Sequence, residues 1–89
     1  MHFTANQLAQ AIDGITARIY VTECGCGEIA LYSVDIQTVE LQCTYGGDRY
    51  GNAECFDLAF YTDSELLDAV NEWTADCIKC LHLDLADNA

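Results

Sequence analysis

The sequence predicts an α+β fold: a small antiparallel sheet of about four strands between an N-terminal and a C-terminal helix, in the order α-β-β-β-β-α. Three observations carry this reading. Near each end, an aromatic residue and a threonine precede a Gln or Glu and then a leucine, which is the pattern of a helix start. Between them, apolar and polar residues alternate at the period of a half-buried strand. The 89 residues contain no proline, no internal repeat and no low-complexity stretch, so a single domain spanning 1–89 is expected.

Phe3-Thr4-Ala5-Asn6-Gln7-Leu8 opens the first helix. Thr4 can accept the amide hydrogen of Gln7 while Gln7 reaches back to Thr4, and Phe3 can staple onto Leu8. Gly14 suits a left-handed stop, which places the helix at about Ala5 to Asp13 with Leu8, Ala11 and Ile12 inward. From Ile15 to Cys24, apolar Ile15, Ala17, Ile19 and Val21 alternate with Thr16, Arg18 and Thr22. Gly25-Cys26-Gly27 then permits a tight reversal. A second strand, Glu28 to Asp35, has two possible facings, since either Ile29 and Leu31 or Tyr32 and Val34 could point inward.

The third strand, about Val39 to Tyr45, puts Val39, Leu41, Cys43 and Tyr45 inward. Residues 46–52 read as a loop by composition. A fourth strand, Glu54 to Phe60, buries Phe56, Leu58 and Phe60. In the closing helix Thr62 caps, Glu65 completes the box and Tyr61 staples onto Leu66. Leu66, Val70, Trp73, Cys77 and Cys80 recur at helical spacing as its core stripe. A meander with both helices on one face would bury all the apolar stripes together.

Fifteen acidic residues against three basic ones set the formal charge at −12. Direct contact with DNA, RNA or an anionic membrane needs cations facing phosphate, so the charge argues against each of them. No run approaches the ~20 apolar residues of a membrane helix. Met1-His2-Phe3-Thr4 lacks the basic start of an export signal, so a cytoplasmic setting is expected. The six cysteines are then read as mostly free thiols, with Cys43 and Cys55 acting as buried small hydrophobes. Cys24, Cys26, Cys77 and Cys80, with His82 to spare, form the alternative of a small zinc-binding module. The C-x-C spacing and the helical setting of Cys77 and Cys80 argue against it, so neither a metal nor a cofactor is expected.

Catalysis has no anchor in the sequence. His2 and His82 stand in no arrangement with a nucleophile and an orienting acid, and the short glycine pairs make no phosphate cradle. A non-enzymatic role is expected. The stronger lead is Glu65, Asp68, Glu72 and Asp76, whose spacings of three, four and four line up on one side of the last helix. At about 1.5 Å of rise per residue, neighbours lie some 5–6 Å apart, comparable to the few ångströms between phosphates. Glu40, Glu54 and Asp57, read as outward, and Asp48 in the loop could extend this field. A net charge of this size exceeds what solubility needs and fits steering onto a basic partner. An acidic adaptor that meets a neutral partner through Tyr20, Tyr32, Tyr45, Tyr50 and Tyr61 is a further alternative.

In size, charge and element order the chain resembles the small acidic anti-CRISPR proteins of phages and other mobile elements. The resemblance implies an inhibitor that acts as a DNA mimic. It would bind the CRISPR effector complex and occupy the arginines and lysines that meet target DNA. Glu65, Asp68, Glu72 and Asp76, with the acids of the adjoining strands, would then be the contact set.

Overall fold

The computed structural model describes residues 1–22 and 26–87. Its elements are α1 (Ala5–Ile12), β1 (Ala17–Tyr20), β2 (Gly27–Asp35), β3 (Thr38–Tyr45), β4 (Asp48–Asp57), a single 3₁₀ turn (Leu58–Phe60) and α2 (Asp63–Asp87). The four strands form one antiparallel meander in the order β1-β2-β3-β4. This is the α-β-β-β-β-α, α+β architecture the sequence predicts. Both helices contribute to a single core with one face of the sheet, where Ile29, Leu31, Val39, Leu41 and Cys43 meet Phe3, Leu8, Leu66, Val70 and Leu81.

Both helix starts form as capping boxes. Thr4 Oγ1 accepts the Gln7 N–H at 3.1 Å, and Gln7 Oε1 accepts the Thr4 N–H at 2.9 Å. Thr62 and Glu65 repeat the exchange at 3.2 and 3.0 Å. Helix α1 closes through Gly14, whose φ of +93° lets the Ile15 N–H reach the Gln10 carbonyl at 2.8 Å. That closure shortens the first strand. Ile15 belongs to the helix end, is 59% exposed, and β1 begins only at Ala17. The alternation itself has the expected phase, with Ala17 and Val21 buried. The reversal expected at Gly25-Cys26-Gly27 lies partly outside the described residues.

The facing of β2 is settled by its neighbours. Ile29 pairs with Cys43 and Leu31 with Leu41, so Ile29 and Leu31 are buried and Tyr32 lies on the uncovered face. Expected as a long loop, residues 46–52 contain only a two-residue turn. Gly46 and Gly47 both have positive φ, 61° and 86°, which matches the right-handed twist of a hairpin. Asp48, Arg49 and Tyr50 already pair with Tyr45, Thr44 and Cys43, and a bulge at residues 51–53, where Gly51 has a φ of +70°, takes up Gly51 and Asn52.

The fourth strand also ends earlier than expected. The Asp57 carboxylate accepts the Ala59 N–H at 2.9 Å, and the Leu58 N–H donates to the Gln37 carbonyl at 2.7 Å. The chain bends there into the 3₁₀ turn, leaving Leu58 half-buried and Phe60 80% exposed. Tyr61 instead meets Phe56 edge-on, with ring centroids 5.8 Å apart.

The core stripe of α2 follows Leu66, Val70, Thr74 and Leu81, with Trp73 and Cys77 at its border. Cys80, expected in the stripe, is exposed, because the 3.6-residue period turns Leu81 inward in its place. Buried Thr74 satisfies its hydroxyl within the helix by donating to the Val70 carbonyl at 2.8 Å. Among the described residues, no helix is long and apolar enough to cross a membrane.

Candidate functional site: the acidic seam of α2 and β4

Glu65, Asp68, Glu72 and Asp76 are all exposed on α2, as their spacing requires once Leu66 and Val70 face the core. Glu54 joins them across the seam. It sits two residues from Phe56 and opposite Leu41, so it projects on the helix-covered face rather than outward. It stays in solvent because β4 is an edge strand. Glu54, Glu72 and Asp76 border one shallow depression whose floor includes Phe56, Ala69 and Trp73. Three of the eight acids thus border the seam, and Glu65 and Asp68 continue the row along α2.

The other three stand apart. Glu40 lies on the uncovered face of the sheet, where the Tyr32 hydroxyl and the Cys55 thiol both donate to it, the thiol at 3.2 Å. The Tyr32 hydrogen bond, more than any other influence, holds its carboxyl below the ordinary glutamate range. Burial and that same bond push Tyr32 up to about 12. Asp57 spends its carboxylate on the 3₁₀ turn. Asp48 is exposed at the hairpin end, opposite Tyr45.

The two arginines stand away from the seam, while Lys79 ends the acidic row three residues after Asp76. Arg18 and Arg49 alternate with inward residues and so share the uncovered face of the sheet. There Arg18 pairs with Glu28 at 2.7 Å, the one ion pair among the described residues. Helix α2 carries seven acidic residues and one lysine, Lys79. Glu65 also serves the helix, since accepting the Thr62 N–H keeps its carboxyl below the ordinary range.

The cysteines divide by environment. Cys43 is buried, its thiol facing the Thr44 carbonyl at 3.9 Å, and Cys77 is half-buried. Burial foremost, and then the neighbouring Cys43 thiol, push Cys77 up to about 12. Cys55, expected to be buried, is exposed because its position alternates with Phe56, and hydrogen bonding to Glu40 raises its thiol. Of the zinc alternative, Cys24 lies outside the described residues and Cys26 is exposed. His82 contacts the Val21 carbonyl at 3.3 Å. No three His, Cys, Asp or Glu side chains group as a ligand set among the described residues.

Trp73 and Tyr50 are site residues the sequence does not connect with the acidic row. Its helical spacing assigns Trp73 to packing, and composition puts Tyr50 in a loop, where it counts only among the tyrosines for a neutral partner. The structure brings both to the seam, where Tyr50 donates its hydroxyl to Asp84. That hydrogen bond is the leading cause that pushes Tyr50 up to about 12. The chain matches no protein-family model, no curated protein and no solved structure.

Proposed function

We propose that the chain is a non-catalytic inhibitor that binds a basic, nucleic-acid-handling protein and shields its DNA-binding surface with the α2–β4 face. The observation that carries the reading is charge segregation. Glu54, Glu72 and Asp76 border one groove, Glu65 and Asp68 continue the row along α2 with Lys79 as its one cation, and the two arginines lie on the uncovered face of the sheet. Carboxylates that outnumber the cations beside them five to one present a field that steers a cationic surface toward them and repels nucleic acid itself. The size, charge and element order shared with small acidic anti-CRISPR proteins make a CRISPR effector complex the first partner to test.

The test is a DNA-binding competition with a purified effector complex. The wild-type chain should displace target DNA, with potency falling as salt rises. Reversing the charge of Glu65, Asp68, Glu72 and Asp76 should abolish displacement while circular dichroism shows the fold intact. Undiminished displacement by that variant overturns the proposed face. No displacement by the wild-type chain, with this and other DNA-binding proteins, overturns the function.

A further inference from the structure

Two depressions of about 240 Å³ each meet along the seam between β4 and α2, sharing Trp73 and Asp76 in their walls. One has Tyr50 and Trp73 as aromatic walls. The other continues past Trp73 to Phe56 and is bordered by Glu54, Glu72 and Asp76. Trp73 is half-buried, with part of its ring packed on the core and part open to the groove. Tyr50 is anchored by its hydrogen bond to Asp84, so this wall is set before anything binds.

We infer that this groove receives an arginine side chain of the partner, with the guanidinium on the Trp73 ring and the carboxylates of Glu72 and Asp76 accepting its N–H groups. The inference rests on the reading above that the acidic face meets a basic protein. Its basis is the pairing of aromatic walls with an anionic rim. An apolar anchor alone would fill the walls but desolvate the carboxylates without giving them a partner. A phosphate or an acidic side chain would be repelled by the rim. Arginine meets both demands, because its planar, weakly hydrated guanidinium stacks on an indole and forks its donors onto carboxylates. Its methylene stem also suits the apolar wall. Lysine offers the charge without the stacking plane.

Trp73 is the single tryptophan of the chain, so its fluorescence reads the groove directly. The full chain is titrated with hexa-arginine and with hexalysine peptides at about 150 mM salt, where long-range attraction is screened. Hexa-arginine should shift the Trp73 emission saturably and bind at least ~5-fold tighter than hexalysine. Glu72→Gln with Asp76→Asn should weaken hexa-arginine about 10-fold or more. Asp13→Asn with Asp87→Asn removes the same charge away from the groove and should weaken it less than about 2-fold. Equal weakening by the two double variants, or equal affinity for the two peptides, overturns the groove and leaves the acidic-face reading standing. Absence of saturable binding by either peptide overturns both.

Discussion

The side-chain amide of Asn71, midway along α2, closes a two-bond ring with the main chain of Phe3. Its Oδ1 accepts the Phe3 N–H at 2.8 Å and its Nδ2 donates to the Phe3 carbonyl at 3.0 Å. Phe3 is fully buried and immediately precedes the Thr4 cap of α1. One amide therefore satisfies two main-chain groups, seats an aromatic in the core and ties the first helix to the last. The separation of 68 positions between the partners makes this a long-range tie that no local sequence pattern announces.

Asn71→Ala should accordingly cost about 2 kcal/mol, from two hydrogen bonds lost at a partly buried place. For a chain of this size that corresponds to a fall in Tm of about 8–16 °C, measurable by thermal denaturation. Asn71→Asp separates the two bonds. Its carboxylate still accepts the Phe3 N–H but faces the Phe3 carbonyl without a proton, so the neutral acid is favoured in the fold. The deficit of this variant should shrink as pH falls, because the protonated acid can donate again. A deficit independent of pH would contradict the paired geometry.

Among the described glycines, Gly27 alone has no room for a side chain. A Cβ there would lie 2.8 Å from Val21 Cγ2, 3.0 Å from Thr22 Cγ2 and 3.2 Å from Leu81 Cδ2. Its own carbonyl accepts the Val21 N–H at 2.8 Å, so the strand has little room to move away. Gly27→Ala should destabilise by about 1–3 kcal/mol through overpacking. Pairing it with Leu81→Ala should recover part of that loss, a non-additivity that a double-mutant cycle in denaturant would show.

The capping boxes, the element order and the inward phase of β1 and β3 were legible because each depends on residues a few positions apart. What was not legible depended on contacts between distant segments. The facing of β2 is decided by Cys43 and Leu41 across the ladder. The end of β4 is decided by Gln37, which holds Leu58 from the β2–β3 turn. Composition misread residues 46–52, since Gly46 and Gly47 suffice for the turn, Asp48 and Arg49 pair in the ladder, and the bulge at residues 51–53 takes up Gly51 and Asn52 within the strand. At the site, the α2 row followed from helical period alone. The convergence of Glu54, Tyr50 and Trp73 on it required knowing that β4 is the strand beside α2.

The thiols offer a check on packing that is independent of stability. Cys77 is raised to about 12 by burial first and then by the neighbouring Cys43 thiol, and burial also raises Cys43. Thiolate is the nucleophilic form, so a raised thiol is depleted of it at any pH below its own value. At pH 8, Cys43 and Cys77 should alkylate more slowly than exposed Cys26 and Cys80 in the native chain. All should react alike in denaturant. Peptide mapping after iodoacetamide would read the order, and fast labelling of Cys43 would contradict its place in the core.

The acidic row should weaken the fold that displays it. Glu72 faces like charges at Asp68 and Asp76, both four residues away on α2, and such pairs cost about 0.2–0.5 kcal/mol each. Glu72→Gln removes two of them and should raise Tm by about 2–8 °C at low salt. The gain should fade as added salt screens the repulsion, while the wild-type chain itself becomes more stable with salt. The same substitution removes a carboxylate from the Trp73 groove, so it should weaken binding while strengthening the fold. Opposite signs for the two effects are what a surface shaped for a cationic partner predicts, because the partner's charge removes the repulsion on contact. If Glu72→Gln lowers stability at low salt, the carboxylate is instead part of what holds α2 in place.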